Sequence, residues 1–420
     1  MEKKVSVRYR MSKDSIPVTD KEQVIYTLVN LRAARKSLGN GRPANLALIL
    51  DRSGSMDGEK IEHLKEAAEY VIDQLTDADY LSLVIFDDQV ETLFSGLIAQ
   101  NRDLVKNQLR NVIARGGTQI SDALKAGMQE IQKGYARDRV NRMLIITDGQ
   151  TWDDEQACFT LAEEASKQGI AITTIGIGTD WNEKLLLEMA EKSNGNSHWI
   201  QNPVSILEAF QEEVEGMQSV AAVNVKLTAR MNDAVKPVKV YTAVPLISDI
   251  STQAVKGNTI VCNLGSLDGK KGQTILLESR ITAKKEGQFR FGEVEIMYDM
   301  PSESISKETV PVELFLSCTK DNNAAEKVNA EVMNLVEKIH AFKLQTRGFT
   351  EAEAGNLVAA TQKLQSAATV LLSLGEEGLA RTAHQEISSL KKTGHLTAAG
   401  TKKLMYGTRK LTRIMTEHLK

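Results

Sequence analysis

The stretch NLALILDRSGSM, Asn45–Met56, decides the fold. Its first half is a continuous apolar run without alternation, which is what a strand buried on both faces requires. Its second half turns to small polar residues that end the strand and open a loop toward a helix. The same pattern recurs outward from this point: an amphipathic stretch from about Lys60 to Leu75, the run LSLVIF at Leu81–Phe86, a helix after Thr118, MLIIT at Met143–Thr147, a helix after Asp153, and AITTIGIG at Ala171–Gly178. Apolar strands separated by helices imply βαβ crossovers and a mostly parallel sheet covered on both faces. Residues 43–218 therefore read as a doubly wound α/β domain of Rossmann-like type.

On either side the period changes. Val5–Tyr9 alternates, Val24–Leu31 is nearly continuous in apolar and β-branched residues, and Arg35–Pro43 reads as a loop. After Val220 short alternating runs follow at Val223–Leu227, Val238–Val244, Thr259–Leu264, Thr274–Ile281, Phe289–Met297 and Val310–Leu316. These suggest an antiparallel sandwich over 219–320, completed by the strands of 1–42, so that the α/β domain is an insertion. From 321 to 420 helical spacing takes over, with Val328, Val332, Leu335, Ile339 and Phe342 on one face. Thr350 and Glu353 predict a capping box for a second helix, and third and fourth helices are expected over Gly378–Leu390 and Ala398–Leu419. The four should pack as a bundle.

Composition narrows the class. With 420 residues, 42% apolar and 25% charged, the chain is an ordinary globular protein too long for one core. A net charge of -3 gives no electrostatic reason to expect nucleic acid or an anionic membrane as partner. Cys158, Cys262 and Cys318 are odd in number and widely spaced, which fits a reducing compartment. The opening residues do not read as a signal peptide and no apolar stretch is long enough to span a bilayer, so a cytoplasmic location is expected.

The chemistry concentrates at strand ends. Asp51, Ser53 and Ser55 follow the first apolar strand, Thr118 stands in the glycine-bearing loop RGGTQ, and Asp148 follows MLIIT. In open parallel sheets ligands bind beyond the carboxyl ends of strands, so these loops should share one rim. Five hard oxygen donors there suit magnesium first, with manganese or calcium as alternatives. Three of the five are neutral hydroxyls, so an ion held by two carboxylates keeps electrophilicity for an incoming acidic side chain.

At these residues the chain resembles the von Willebrand factor A family, whose metal-ion-dependent adhesion site has the pattern D-x-S-x-S, then a threonine, then an aspartate. DRSGS, the GGT loop and the TDG loop match it in order, over roughly Asn45–Gly216. The resemblance implies that Asp51, Ser53, Ser55, Thr118 and Asp148 are metal-site residues, some acting through bound water. The wider layout is similar to bacterial relatives of calcium-activated chloride channel and inter-alpha-trypsin inhibitor heavy chain proteins, and to coat-complex proteins. That layout says little about function; the match at the metal-site residues implies a metal-dependent adaptor or scaffold that grips an Asp or Glu of a partner protein and is not an enzyme. The alternatives are a metal-assisted hydrolase or phosphoryl-transfer enzyme, with Asp87 or Asp88 as base, and an accessory subunit of an ATPase or of a kinase and phosphatase signalling set.

Other features have plainer readings. Taken alone, Asp51 and the serines read equally well as turn and cap residues. Asp87 and Asp88 read as solvated turn carboxylates, with a supporting role at the site as the alternative, while Asp153, Asp154 and Glu155 read as a helix start. The glycines of IGIGTD lack the third glycine of a dinucleotide fingerprint, and the histidines, including His63 and His198, form no zinc motif. No G-x-S-x-G elbow or Walker loop is present. Between Lys391 and Lys420 eight basic residues stand against Glu417 alone, which reads as the solvated face of a terminal helix whose apolar stripe is Leu404, Leu411, Ile414 and Met415.

Overall fold

The structure, a computed structural model, describes residues 4–34, 42–136, 138–151 and 154–413. Most of the expected Arg35–Pro43 loop, Asp153, and the stretch containing Ile414, Met415, Glu417 and Lys420 lie outside these residues. The described chain divides into two compact units: one includes the chain from 42 to Asn224 with Asp299–Ser306, and the other the N-terminal strands, Val225–Tyr298 and the chain from Lys307.

Two strands open the chain, β1 (Val5–Met11) and β2 (Thr19–Ala33), paired antiparallel. The α/β domain follows: β3 (Ala44–Asp51), α1 (Glu59–Gln74), β4 (Tyr80–Phe86), β5 (Val90–Leu97), α2 (Arg102–Arg110), α3 (Ile120–Gly134), β6 (Val140–Thr147), α4 (Glu155–Lys167), β7 (Ala171–Ile177), α5 (Glu183–Ser193), β8 (Ser197–Ile200) and α6 (Ile206–Gln218). The sheet order is β5-β4-β3-β6-β7-β8. All neighbours are parallel except β5 on β4. Strand order therefore reverses at β3, and the crevice between β3 and β6 is the switch point where ligands bind in such sheets. Every residue of β3 is buried, as its unbroken apolar run requires. Helices cover it from both sides, with Leu64, Ala68, Val71 and Ile72 of α1 in the core that also takes Leu46, Leu48 and Leu50.

Strand β5 and helix α2 escape a reading of the sequence by apolar runs. VETLFSGL is a half-exposed antiparallel edge strand, and α2 buries only Val105 and Leu109.

In the second unit one sheet joins β1 and β2 to β12 (Gln273–Ala283), β10 (Val235–Val244) and a two-residue strand, and the other is built around β11 (Thr259–Asp268), β9 (Val220–Met231), β13 (Gly287–Met300) and β14 (Ile305–Thr319). The early strands are thus paired with chain from beyond the α/β domain, through the β2–β12 ladder. Four helices follow, α7 (Ala330–Glu353), α8 (Leu357–Ser373), α9 (Glu377–Thr393) and α10 (Ala398–Arg409). Val332, Leu335, Ile339 and Phe342 of α7 pack on Leu28, Tyr241 and Leu276 of the first sheet, so the helical stripe seen in the sequence covers a sheet face as well as its neighbours.

Two expectations need correction here. Thr350 and Glu353 do not cap a second helix: they are the last turn of α7, where the Thr350 hydroxyl donates to the Thr346 carbonyl at 3.2 Å. The break falls at Gly355, whose φ of 78° only glycine adopts freely. Lys402, counted with the basic face of the last helix, is buried at 1% exposure among the helices.

At the opposite end of the α/β sheet from the crevice, α6 is fixed by one buried acid. Glu213 receives Arg142 Nη1 of β6 and the Thr173 hydroxyl of β7 on one oxygen, both at 2.7 Å, and pairs with Asn196 Nδ2 and His198 Nε2 on the other, both at 2.8 Å. Burial alone would raise its pKa, but Arg142 and His198 outweigh it and hold the carboxyl well below the ordinary range. Removing one member strands the other charges in the interior. Glu213→Ala should cost about 3 to 5 kcal/mol in urea unfolding at neutral pH. Because the folded-state pKa is depressed, this contribution is complete above the ordinary value of 4.5 and is lost as pH falls below it. The gap between wild type and variant should therefore narrow in acid.

Candidate metal centre

Register creates the site. Leu50 of β3 pairs with Ile146 of β6 in parallel, so the next step along both strands brings Asp51 beside Thr147. The Thr147 hydroxyl donates to Asp51 Oδ2 at 2.5 Å, and the Ser53 backbone N–H donates to Oδ1 at 2.7 Å. The chain then turns through a single 3-10 turn, Gly54–Met56. The Ser53 and Ser55 hydroxyls meet at 3.1 Å, and Ser55 donates onward to Asp148 Oδ1 at 2.6 Å. Asp51, Ser53, Ser55 and Asp148 thus form one continuous polar chain at the switch point. Asp51 and Asp148 are buried, at 0% and 3% exposure, while Ser55 is exposed and opens the group to solvent.

Thr118 reaches the same place from the β5–α3 side. A Cβ on Gly149, the residue after Asp148, would stand 2.7 Å from the Thr118 hydroxyl, so that glycine is what lets the two loops close on each other. The Thr118 loop is held by backbone contacts from both neighbours: Gly54 N–H to the Gly116 carbonyl at 3.0 Å, and Gln119 N–H to the Asp87 carbonyl at 3.1 Å. Gly116 has a φ of 70°, and any side chain on it would press on Asp87 and Asp88.

Those two carboxylates are not solvated turn groups of one kind. Asp87 is buried, accepting Arg52 Nε at 2.9 Å and Arg115 Nε at 3.0 Å on one oxygen and the Gln89 N–H at 2.7 Å on the other. Burial pushes its pKa up, but these partners outweigh it and the net shift is downward. Asp88 is exposed yet accepts the Gly117 N–H at 2.9 Å. Both serve as fasteners for the loop that carries Thr118.

Asp154 likewise does more than begin a helix. Its carboxylate takes the Thr151 hydroxyl at 2.5 Å and the Ser121 N–H of α3 at 2.7 Å, which ties the segment after Asp148 to the helix after Thr118. The IGIG glycines serve tryptophans: a side chain on Gly176 would collide with the Trp181 ring, and the Gly178 carbonyl accepts the indole N–H of Trp181 at 3.0 Å and of Trp199 at 2.7 Å. His63 pairs with Glu66 at 3.1 Å on the surface, and His198 belongs to the Glu213 network.

Electrostatics mark the crevice as a place for a cation. Burial pushes the Asp51 carboxyl up to about 6 despite hydrogen bonds from Thr147 and Ser53, and the charge of Asp148 adds to the rise. Two buried carboxylates side by side are costly unless a positive charge joins them. One does: the Lys60 ammonium of α1 forms an ion pair with Asp148 Oδ2 and donates to the Ser55 carbonyl at 3.1 Å. A cation therefore fits against these oxygens, and the donors, two carboxylates and three hydroxyls, are the hard kind that magnesium, manganese or calcium prefers.

In the sequence Thr147 and Lys60 stand only as the ends of elements, and Asp154 only as part of a helix start. Thr147 was accessible in principle, because a hydroxyl just before a strand-end aspartate lands beside Asp51 once β3 and β6 are taken as parallel neighbours. Lys60 gave a fainter signal, a cation in the first turn of a helix where the dipole disfavours it.

The α/β domain has known counterparts. Residues 45–213 match the von Willebrand factor type A domain, and residues 330–414 match the Sll0103-like, C-terminal alpha-helical domain. A Synechocystis protein described as uncharacterized protein sll0103 is 29% identical over 335 residues, 78% of each chain. The human inter-alpha-trypsin inhibitor heavy chain H3 is 26% identical over 186 residues, 41% of this chain and 21% of that protein. Among solved structures, the von Willebrand factor type A protein from Catenulispora acidiphila superposes with a TM-score of 0.80 at 18% identity, covering 96% of both chains. The ArnB paralog VWA2 from Sulfolobus acidocaldarius gives 0.60 at 15% identity, covering 98% of this chain and 99% of that one. These two likenesses are of fold, and they extend over the sandwich and the helices. Residues 45–213 thus have the von Willebrand factor type A fold and match that domain's family model, and the four C-terminal helices match the Sll0103-like helical domain.

Proposed function

We propose that the chain is a metal-dependent protein-binding module, in which Asp51, Ser53, Ser55, Thr118 and Asp148 hold a divalent cation that grips an acidic side chain of a partner. The observation that carries this reading is the buried pair Asp51 and Asp148, linked through serine hydroxyls that open to solvent at the switch point. A bound divalent cation supplies a Lewis-acidic position that a carboxylate from outside can take. The chain's own part is to orient the donors. Thr147 fixes one oxygen of Asp51, the Ser53 N–H fixes the other, and the Asp87 and Asp88 fasteners set the Thr118 loop.

The hydrolase reading needed Asp87 or Asp88 as a base. Asp87 is held by two arginines, which lower its basicity, and Asp88 fastens the Thr118 loop through the Gly117 N–H, so both have a structural part to play and binding is the reading we favour.

Titration calorimetry of magnesium, manganese and calcium into the full chain should show saturable binding that Asp51→Ala abolishes. In extracts of the native cell, a partner should be retained with magnesium and released by chelator. Retention that survives both Asp51→Ala and chelation would sink the metal-dependent reading.

A second measurement separates a metal site from a helix cap. The Asp51 pKa, raised from 3.8 to about 6, means that ionised Asp51 destabilises the metal-free fold, by up to about 3 kcal/mol near neutral pH. Asp51→Asn keeps the size and an acceptor oxygen while removing the charge. In chelator it should unfold at a higher urea concentration than wild type, whereas a side chain serving only as a cap would leave stability nearly unchanged, because asparagine caps a helix as well as aspartate does.

A further inference from the structure

Lys60 pairs with a carboxylate whose side chain is fully buried. It is the second residue of α1, at the helix end where the dipole disfavours a cation. Its side chain is 33% exposed while its partner Asp148 has a side chain 0% exposed. Both oxygens of Asp148 are occupied, Oδ1 by the Ser55 hydroxyl at 2.6 Å and Oδ2 by the Lys60 ammonium. The same ammonium also donates to the Ser55 carbonyl at 3.1 Å, so it bridges the two loops that a divalent ion would bridge. A lysine is a compact charge on a flexible four-carbon stem, able to leave a buried partner for water without moving the backbone. The exposed part of its side chain offers that exit.

We propose that the Lys60 ammonium is a tethered competitor of the divalent ion for Asp148, so that the site alternates between a lysine-closed form and an ion-loaded form from which Lys60 has swung out to the rim. This inference rests on the metal-binding reading of the crevice. In the closed form Lys60 compensates one of the two buried carboxylates, which keeps the empty site folded. In the loaded form the released ammonium lies at the edge of the crevice, where its charge adds to the attraction for an acidic partner. Lys60 thereby sets the cation concentration at which the module engages.

The test is manganese and magnesium calorimetry on the full chain and on Lys60→Met, which keeps most of the stem and removes the charge, with Lys60→Gln replacing it should the methionine variant fail to fold. Alongside, acylation of Lys60 by an amine-reactive probe is followed by mass spectrometry with chelator and with magnesium. Lys65, one turn along and paired with Glu62 at 2.9 Å, is the internal control. The expected result is an affinity at least about tenfold tighter in Lys60→Met, together with a metal-induced rise in the acylation of Lys60 but not of Lys65. Binding by the variant where the wild type shows none would support competition more strongly still. Equal affinities, or a tighter variant with Lys60 acylation unmoved by metal, would overturn the inference and leave the metal site standing. Absence of binding in both chains would remove the metal site and the inference with it.

Discussion

Two buried carboxylates, Asp51 and Asp148, come to rest side by side in the crevice between adjacent parallel strands, and the rest of the α/β domain is organised around that placement. The register of β3 on β6 leaves no freedom in the matter: with Leu50 against Ile146, Asp51 must lie beside Thr147 and Asp148 one residue beyond. Burial pushes the Asp51 carboxyl to about 6 even with donors on both oxygens. A core of this kind would ordinarily exclude the pair. It is kept because β3 is buried along its whole length and the neighbouring strands bury apolar residues beside it, so that much of the local cost is offset by the burial of β3 and its neighbours.

The second constraint is the position of Thr118, which comes from a loop and not from a strand end. Loops are ordinarily the mobile part of such folds, yet this one is fastened at four places. The Gly54 N–H reaches the Gly116 carbonyl, the Arg115 N–H reaches the Arg52 carbonyl, and Asp88 and the Asp87 backbone hold Gly117 and Gln119. Arg52, the variable residue of D-x-S, is drawn inward to the Asp87 carboxylate and buried at 6% exposure. Holding the donors before any ligand arrives lowers the ordering cost of binding. Three of the four fastenings are backbone hydrogen bonds and the fourth is the Asp88 carboxylate, with the Arg115–Asp87 ion pair one layer behind them.

How much of this could be read in the sequence follows from what each residue's neighbours are. The central strands were legible because a strand covered on both faces must be largely apolar, and the clustering of Asp51, Ser53, Ser55, Thr118 and Asp148 was legible because each follows such a strand or stands in a glycine-bearing loop. Edge strand β5 was not, since VETLFSGL faces water on one side and carries no periodic signal strong enough to separate it from a loop. The α7–α8 break was misplaced because Thr350 and Glu353 have the spacing of a capping box, while the deciding residue, Gly355, signals only through its backbone conformation. The roles of Asp87, Asp154 and Lys60 depend on partners 28 to 88 residues away, a range at which local pattern carries no information.

The number of carboxylates at the crevice bears on what the chain does with an ion. A site meant to retain calcium gathers several carboxylates, which neutralise the ion and close its shell. Here only Asp51 and Asp148 bring full charge, and Ser53, Ser55 and Thr118 bring dipoles. A divalent ion among them is balanced but not enclosed, and Lys60, displaced or not, leaves the neighbourhood positive. On the proposed reading such a centre would bind its ion weakly when alone and more tightly once an external carboxylate joins, because that carboxylate would provide the remaining anionic ligand. Ion and partner then stabilise each other by the same free energy. Binding of either reports on the other, which is the behaviour expected of a module that recognises acidic surfaces only when the cation is present.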